Sequence, residues 1–372
     1  MPYAFLSHES ACEVLREKGA SGRRWPTEGR LLPIWGDCVA GQRQMKTLEQ
    51  SVDFETLGVV TRPIDVIVPT SGYRTRGKYI RTHVWSSAIP AGSMMWVHPN
   101  VLVSGPEFTL LQMAHAHNMH WPQYEVVAKK IVEENEMLRR YGYEGKAKGE
   151  KPLLWEPVRS LVMLVRQAME FLGTYRFDKS GEEAKSDQPQ LMTLESGRDF
   201  AKGVHKRRAS TQLLRALDLA LENSASPRET DLSLMLTLPV ELGGYGLTRP
   251  VLNERIDAPV GWYELTGERH IKPDLLWEDC HVIVEYYGHK AHRALGQSKT
   301  DRDIMRANML RAMGYRVLEV THGVVSTAAR MDFFVNQAAT LLGQRVPEAN
   351  EDARTVRRHL YEELFSVEWE AS

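Results

Sequence analysis

Two carboxylates stand in a stretch where a plain β-hairpin would carry apolar side chains. Within His270–Thr321, two short apolar runs, Ile271–Trp277 and His281–Tyr287, are joined by a turn of three residues. Asp274 lies in the first run and Glu285 in the second. Burying a charged group costs free energy unless a partner compensates it. A divalent metal ion is one partner that keeps two nearby carboxylates ionised, so the hairpin is a candidate metal site.

The residues after the hairpin predict the elements that would position it. Apolar residues recur at helical spacing over Lys299–Met313, which predicts a helix. Gly314 is well placed to end this helix, and Tyr315–Thr321 alternates as a strand does. A strand, a helix and a further strand in this order predict a right-handed crossover that returns the chain to the same sheet.

A second helix is predicted to begin at Pro227, before the hairpin. Ser226 is suited to cap it, Pro227 fits the first helical position and Glu229 falls in the first turn. The cap and the helix dipole are sufficient to explain a glutamate at this place.

An ordered set of motif residues runs through this part of the chain: Pro273-Asp274, VEYYG at Val284–Gly288, His292, Asp303, Arg306, Asn308 and the strand GYRVLEVT. This order resembles the PD-(D/E)XK nuclease superfamily, and within it the small domains similar to very-short-patch-repair (Vsr) endonucleases. The resemblance implies an α/β fold with a restriction-endonuclease-like core of helix, three antiparallel strands, helix and strand. On this interpretation the first of the three strands lies near Trp262–Leu265.

The resemblance also implies a metal-dependent DNA endonuclease. Asp274 and Glu285 would bind Mg²⁺ (or Mn²⁺) and support hydrolysis of a phosphodiester bond. Glu229 would join them if its helix faces the metal, so both a cap and a metal ligand remain open for this residue. His292 is the candidate general acid or base, because an imidazole titrates near neutral pH.

Basic side chains around the hairpin are the candidate DNA contacts. Arg306 would orient a phosphate, bidentately if the geometry allows. Basic residues at other positions would contact the phosphate backbone without reading sequence, and solvation of exposed helix faces is the alternative explanation for them. These further candidates are Lys206, Arg207, Arg208, Lys290 and Arg302.

The chain departs from the superfamily at one important position. The third family motif is a carboxylate, any residue and a lysine on one strand, but here it begins at Glu285 and places Tyr287 at the lysine position. The lysine stabilises the attacking water and the developing phosphate charge, and tyrosine cannot carry that positive charge. Lys272, Lys290 or His292 would have to substitute for it in space.

The N-terminal part predicts a small mixed α+β domain. Leu6–Gly19 reads as a helix capped by Ser7 and closed by Gly19, and short strands follow. The phrase at Ser104–Leu111 is similar to one found in bacterial proteins of the abortive-infection antitoxin type. The order of phrases along most of the chain is similar to proteins of gut actinobacteria that carry the Vsr-like domain behind an N-terminal segment.

Changes in composition predict four segments. They are a small α+β domain at 1–120, a helical connecting region at 121–202, the Vsr-like nuclease domain at 203–345 and a C-terminal helix at 346–372.

Composition bounds the class of protein. The 372 residues are 42% hydrophobic and 26% charged, as expected for a globular protein with a sizeable core, and the net charge is -1. Nucleic-acid binding would therefore depend on local basic patches. The three cysteines show no zinc spacing, and no signal peptide or membrane-spanning run is present, so we expect a cytoplasmic protein without a membrane association.

Two other functions remain open. The first is a catalytically inactive nuclease fold that binds DNA or regulates a partner, as an antitoxin does, and the missing lysine favours it. The second is a protein-interaction module, which predicts neither metal nor DNA binding. The protein partner and the oligomeric state stay undetermined.

Overall fold

The computed structural model describes residues 2–20, 23–24, 37–115, 155–181, 183–204, 208–259, 261–266, 269–288, 297–365 and 370–371. These residues form helices and several sheets, so the expected α/β class is confirmed. The helices are α1 (His8–Lys18), α2 (Gln42–Leu48), α3 (Pro106–His115), α4 (Trp155–Leu172), α5 (Leu194–Gly203), α6 (Arg208–Leu219), α7 (Pro227–Thr237), α8 (Trp262–Thr266), α9 (Gln297–Ala312), α10 (Ala328–Leu342) and α11 (Glu351–Phe365).

The strands are β1 (Ala4–Leu6), β2 (Arg23–Arg24), β3 (Ile64–Val68), β4 (Ile80–Val84), β5 (Met94–His98), β6 (Val101–Ser104), β7 (Arg176–Phe177), β8 (Glu183–Lys185), β9 (Val251–Leu252), β10 (Ile256–Asp257), β11 (His270–Ile271), β12 (Leu275–Trp277), β13 (Val282–Tyr287), β14 (Arg316–Thr321) and β15 (Glu370–Ala371).

The chain divides into two compact units, each built from more than one segment. The first unit comprises Met1–Val126, Arg176–Gly181 and Pro189–Asp218, and the second comprises Val127–Tyr175, Glu182–Gln188 and Leu219–Ser372. The four-segment division expected from the sequence stays a prediction.

The first unit is organised by a six-stranded sheet. Its strand order is β2-β5-β6-β1-β3-β4, with β1 parallel to β6 and β3 parallel to β4. Every residue of β3 is buried, including Asp65 in its sequence IDVIV, and α1 packs against both β3 and α3. The predicted helix at Leu6–Gly19 is confirmed as α1, and Gly19 ends it with a positive φ of 71°. Ser7 holds the N-cap position, but its side chain makes no cap hydrogen bond.

The second unit carries the hairpin that the sequence singles out. Its four-stranded sheet has the order β14-β13-β12-β9, in which β9, β12 and β13 are antiparallel and β14 returns parallel to β13. The expected crossover through α9 is therefore confirmed. The helix covers one face of the sheet, where Leu310 joins a buried cluster with Leu276 and Ile283.

The strand predicted near Trp262–Leu265 is wrong, because this stretch forms helix α8. Gly261 takes a positive φ of 92°, and the backbone N–H of Trp262 donates to the carbonyl of Pro259, which closes a turn into the helix. The Trp262 ring is buried with the hairpin core. Strand β9 occupies the sheet edge instead. The predicted run Ile271–Trp277 also divides, into β11 and β12.

A helical layer completes the second unit. Helix α4 packs against α7 and α11, and the predicted helix after Pro227 is confirmed as α7. Between α4 and α7, Arg166 forms an ion pair with Asp231 at 2.7 Å, with side chains only 2% and 0% exposed. Buried charges of this kind depend on each other, since either one alone would remain uncompensated in an apolar environment.

Breaking this pair tests how much the helical layer depends on it. We expect Arg166→Met to lower the free energy of unfolding by about 3–5 kcal/mol, because Asp231 would stay buried without its main partner. The double variant Arg166→Met, Asp231→Leu should lose much less free energy of unfolding than the two single variants lose together. Urea denaturation followed by circular dichroism measures both.

The matched control is Arg159→Met on the same helix. Arg159 pairs with Glu363 at 2.9 Å, but the two side chains are 23% and 19% exposed. A more exposed pair contributes about 1 kcal/mol or less. Equal losses in the Arg166 and Arg159 variants would show that burial does not set the contribution of the pair.

Candidate active site

The hairpin register places the two predicted carboxylates beside each other. Leu275 pairs with Val284 at the end of the antiparallel ladder, and the residues next to this pair are Asp274, directly before β12, and Glu285, which interact electrostatically. The backbone N–H of Tyr286 donates to Asp274 Oδ2 at 2.6 Å, which fixes the aspartate at the strand end.

Glu285 is buried and receives a cation from the crossover helix. Only 3% of the residue is exposed. Arg306 of α9 donates from an Nη2 atom to Glu285 Oε1 at 3.1 Å, and the same atom donates to the carbonyl oxygen of Lys272. Among the described residues, Arg306 Nε is buried without a hydrogen-bond partner. The guanidinium therefore retains one donor beside the acidic pair.

Glu229 serves as a helix cap and also lies within electrostatic reach of the pair. Ser226 Oγ donates to Glu229 Oε1 at 2.9 Å and accepts from the Glu229 backbone N–H at 3.2 Å, so Ser226 is the N-cap of α7. The backbone N–H of Ala225 donates to Oε2 at 2.8 Å. The cap explanation is confirmed for this residue. Its place near Asp274 leaves the metal role a prediction.

Asn253 connects the capped helix to the hairpin, and the sequence motifs do not identify it. Its Nδ2 donates to Glu229 Oε2 at 2.6 Å, and its backbone N–H donates to the carbonyl of Pro273 at 3.1 Å. The residue takes a positive φ of 51°, a conformation that asparagine tolerates better than most residues. The sequence signal for this role is weak, because it consists of a single asparagine directly after β9.

Burial and repulsion from Asp274 disturb the titration of Glu229 and Glu285. Burial, followed by the negative charge of Asp274, raises the pKa of Glu229 to about 8. The same two causes raise the pKa of Glu285 to about 8, although Arg306 acts in the opposite direction. Titratable groups whose pKa is displaced by burial and by a specific charged neighbour are typical of functional sites.

A further acid, Glu319, lies beside Glu285 across the sheet. In the parallel ladder Glu285 pairs with Glu319 of β14, which places both side chains on the face that α9 covers. Arg311 of α9 forms an ion pair with Glu319, as Arg306 does with Glu285. Two arginines of one helix therefore compensate acids on two neighbouring strands. Arg306 belongs to the sequence motif, whereas no motif marks the pair of Arg311 with Glu319.

The donor chemistry of the site fits a hard divalent cation. Asp274, Glu285 and Glu229 bring three carboxylates into one region, and Arg306 compensates only part of their charge. Carboxylate oxygens are the ligands that Mg²⁺ and Mn²⁺ prefer. In the part of the chain that the structure describes, no group of three or more His, Cys, Asp or Glu side chains is close enough to hold a metal. Asp274 and Glu285, which interact electrostatically, are the residues that could hold such an ion.

Several predicted site residues are not described. His292, Lys290, Lys206 and Arg207 lie outside the described residues. Arg208 and Arg302 lie in α6 and α9, and the structure describes only their backbone. Their roles in catalysis or DNA binding stay predictions.

Tyr287 stands where the nuclease superfamily has lysine. It pairs with Thr321 in the ladder, two positions after Glu285, and therefore shares the face that α9 covers. The side chain is half-buried. Lys272, a candidate substitute, is exposed at the end of β11, where its carbonyl oxygen accepts from Arg306. The one described cation that contacts Glu285 is Arg306.

Comparison with protein-family models, with curated proteins and with solved structures gave no significant match. Among the described helices, none has both the length and the apolar composition needed to cross a membrane.

The raised pKa of Glu285 predicts a pH-dependent stability. Between its ordinary value near 4.5 and about 8, the folded protein binds more protons than the unfolded chain, so the stability of the wild type falls as the pH rises. Glu285→Gln keeps an acceptor for Arg306 but cannot ionise. We expect the free energy of unfolding of this variant to rise relative to that of the wild type from pH 5 to pH 8, by roughly 1 kcal/mol per pH unit.

Urea denaturation at pH 5, 6, 7 and 8 measures the difference. Glu254→Gln is the control, because Glu254 is exposed in the same unit. A constant difference between the wild type and Glu285→Gln at all four pH values would contradict the prediction.

Proposed function

We propose that this chain is a metal-dependent endonuclease that cleaves phosphodiester bonds of DNA, with a restriction-endonuclease-like core of the PD-(D/E)XK type in its second unit. The order of elements supports this core. Helix α7 is followed by the antiparallel strands β9, β12 and β13, then by α9 and by β14. Elements β10, α8 and β11 are inserted between the first two strands of that sheet.

The observation that carries the proposal is the placement of Asp274, directly before β12, beside Glu285 of β13. Neighbouring like charges destabilise a sheet, and here one of them is almost completely buried. Stability alone does not account for such an arrangement, since apolar residues would suit both positions better. A divalent cation bound between the two carboxylates would compensate their negative charge.

The proposed roles of the residues follow from their contacts. Asp274 and Glu285 would hold Mg²⁺ or Mn²⁺, and the N–H of Tyr286 keeps Asp274 oriented toward the site. Glu229 would add negative charge from its capped position. A bound divalent ion supplies a more acidic water and neutralises phosphate charge. His292 remains the predicted group that takes or gives a proton.

Arg306 is the residue that would supply the positive charge lost with the family lysine. A guanidinium stays protonated at all physiological pH values. It contacts Glu285 and has a buried Nε without a partner in the described residues, so it retains a donor for a phosphate oxygen. The candidates Lys290 and Arg302 would extend the contact along the nucleic acid, with Lys206, Arg207 and Arg208 as further backbone contacts.

The test is cleavage of supercoiled plasmid and of single-stranded DNA with Mg²⁺ or Mn²⁺, and with EDTA. We expect nicking in the presence of metal and none with EDTA. The double variant Asp274→Asn, Glu285→Gln should lose at least about 100-fold in rate, the scale reached when one electrostatic stabiliser of a transition state is removed.

The matched control is Asp279→Asn, which changes an exposed acid in the turn of the same hairpin. Its activity should equal that of the wild type. Cleavage that survives in the double variant, or that proceeds equally in EDTA, would overturn the assignment of the two carboxylates.

One observation favours the alternative of an inactive DNA-binding or regulatory protein. Both carboxylates already have partners in the folded chain, since Glu285 pairs with Arg306 and Asp274 accepts from the backbone N–H of Tyr286. Together with Tyr287 at the lysine position, these contacts would suit a nuclease fold that no longer binds metal.

Metal-free DNA binding distinguishes the alternative. For an inactive binder we expect the same affinity for a labelled duplex with Mg²⁺ and with EDTA, as measured by fluorescence anisotropy. This affinity should fall steeply as the salt concentration rises, because DNA binding releases counterions. The variant Asp274→Asn should then bind as the wild type does. Tighter binding with Mg²⁺ that Asp274→Asn abolishes would contradict the inactive form and support the metal site.

A further inference from the structure

A polar cavity lies in the first unit, and none of the hairpin residues lines it. Its volume is about 160 Å³, and among the described residues that line it none is acidic. The polar side chains around it are instead those that donate hydrogen bonds or carry positive charge. They are His8, His83, His115, Arg74, Arg76 and Gln112.

Two stacked imidazoles form one wall of the cavity. The rings of His8 and His83 lie 3.7 Å apart between centroids, at an interplanar angle of 20°. His83 Nε2 lies 2.6 Å from Oδ1 of Asp65, a completely buried residue of β3. Arg81 donates to both carboxylate oxygens of Asp65, at 2.5 and 2.8 Å. This network fixes His83, and through it the stacked ring of His8.

Gln112 provides the observation that points to a ligand. The residue is 2% exposed, and neither its Nε2 nor its Oε1 has a hydrogen-bond partner among the described residues. A buried amide without partners costs free energy comparable to lost hydrogen bonds. Because this amide lines the cavity, a molecule bound there would satisfy it.

The charges around the cavity favour an anion. Arg74 and Arg76 are exposed, and in the described part of the chain neither guanidinium forms a hydrogen bond or an ion pair. His8 lies in the first turn of α1, whose N-terminus adds a partial positive charge.

We propose that this cavity binds a phosphomonoester group, held by Arg74, Arg76 and the Gln112 amide over the stacked His8–His83 wall. Guanidinium groups and the N-terminus of a helix are the donors that proteins use for phosphate. The volume accommodates a phosphate group with part of the molecule that carries it. That molecule is either a free small phosphomonoester or the phosphorylated end of a nucleic acid strand, which share this chemistry.

The test measures binding by isothermal titration calorimetry of the full chain in EDTA, which prevents metal-dependent cleavage. The probes are adenosine 5′-monophosphate against adenosine, and one oligonucleotide with a 5′-phosphate against the same strand with a 5′-hydroxyl. We expect the phosphorylated member of at least one pair to bind at least tenfold more tightly. A preference within the first pair identifies a small ligand, and a preference confined to the second pair identifies a strand end.

Two variants connect the binding to these residues. Gln112→Leu removes the unpaired amide, so we expect affinity for the phosphorylated probe to fall about tenfold without a fall in melting temperature. Arg74→Ala, Arg76→Ala should weaken binding at least as much, while Arg43→Ala, which changes an exposed arginine of α2 in the same unit, should not.

Equal binding of phosphorylated and unphosphorylated probes would overturn the proposal. So would a Gln112→Leu variant that loses thermal stability and keeps full affinity, because the amide would then have a structural role only. Since the probes are compared without metal, failure here leaves the proposed nuclease activity untouched, and failure of the nuclease assay leaves this site untouched.

Discussion

The carboxylates that lie beside each other in the hairpin impose a constraint on every element around them. The hairpin register brings Asp274 and Glu285 together, and the surrounding side chains exclude much of the water that would screen them. Arg306 of helix α9 forms an ion pair with Glu285. Asn253, directly after β9, donates a hydrogen bond to Glu229. The crossover connection thus supplies charge as well as apolar contact, and its packing and its electrostatics depend on the same register.

Buried acids compensated by arginine recur in both units. Asp65 is held by Arg81 in the first unit, and Asp231 is held by Arg166 in the second. Each arginine comes from a neighbouring strand or helix, so each pair fixes two elements to one another. Glu285 differs from these two acids because another carboxylate lies beside it. This difference separates a candidate site from a pair whose role is to join elements.

The parts of the fold that follow from local patterns were predictable from the sequence. The crossover from β13 through α9 to β14 follows from apolar periodicity and from Gly314, and the start of α7 follows from Ser226 and Pro227. Helix α8 was not predictable in this way, because Trp262 is as suitable for a strand as for a helix and the deciding turn depends on Gly261 adopting a positive φ. Propensity alone does not reveal that conformation.

The candidate site was predictable only where its residues share one strand or one motif. Asp274 and Glu285 are close in sequence, and their pairing follows from the hairpin. Asn253 and the pair of Arg311 with Glu319 come from separate elements, and only the tertiary arrangement brings them to the acids. The cavity around Gln112 combines α1, α3 and β4 in the same way, and no local spacing marks it.

The division of the chain into interleaved segments affects how such a protein can change during evolution. The backbone enters the second unit before residue 175, returns to the first at 176–181 and again at 189–218, and only then remains in the second. No single break between these segments therefore separates the two units with both intact. A single recombination event therefore cannot exchange one whole unit for another, and the two units are inherited together.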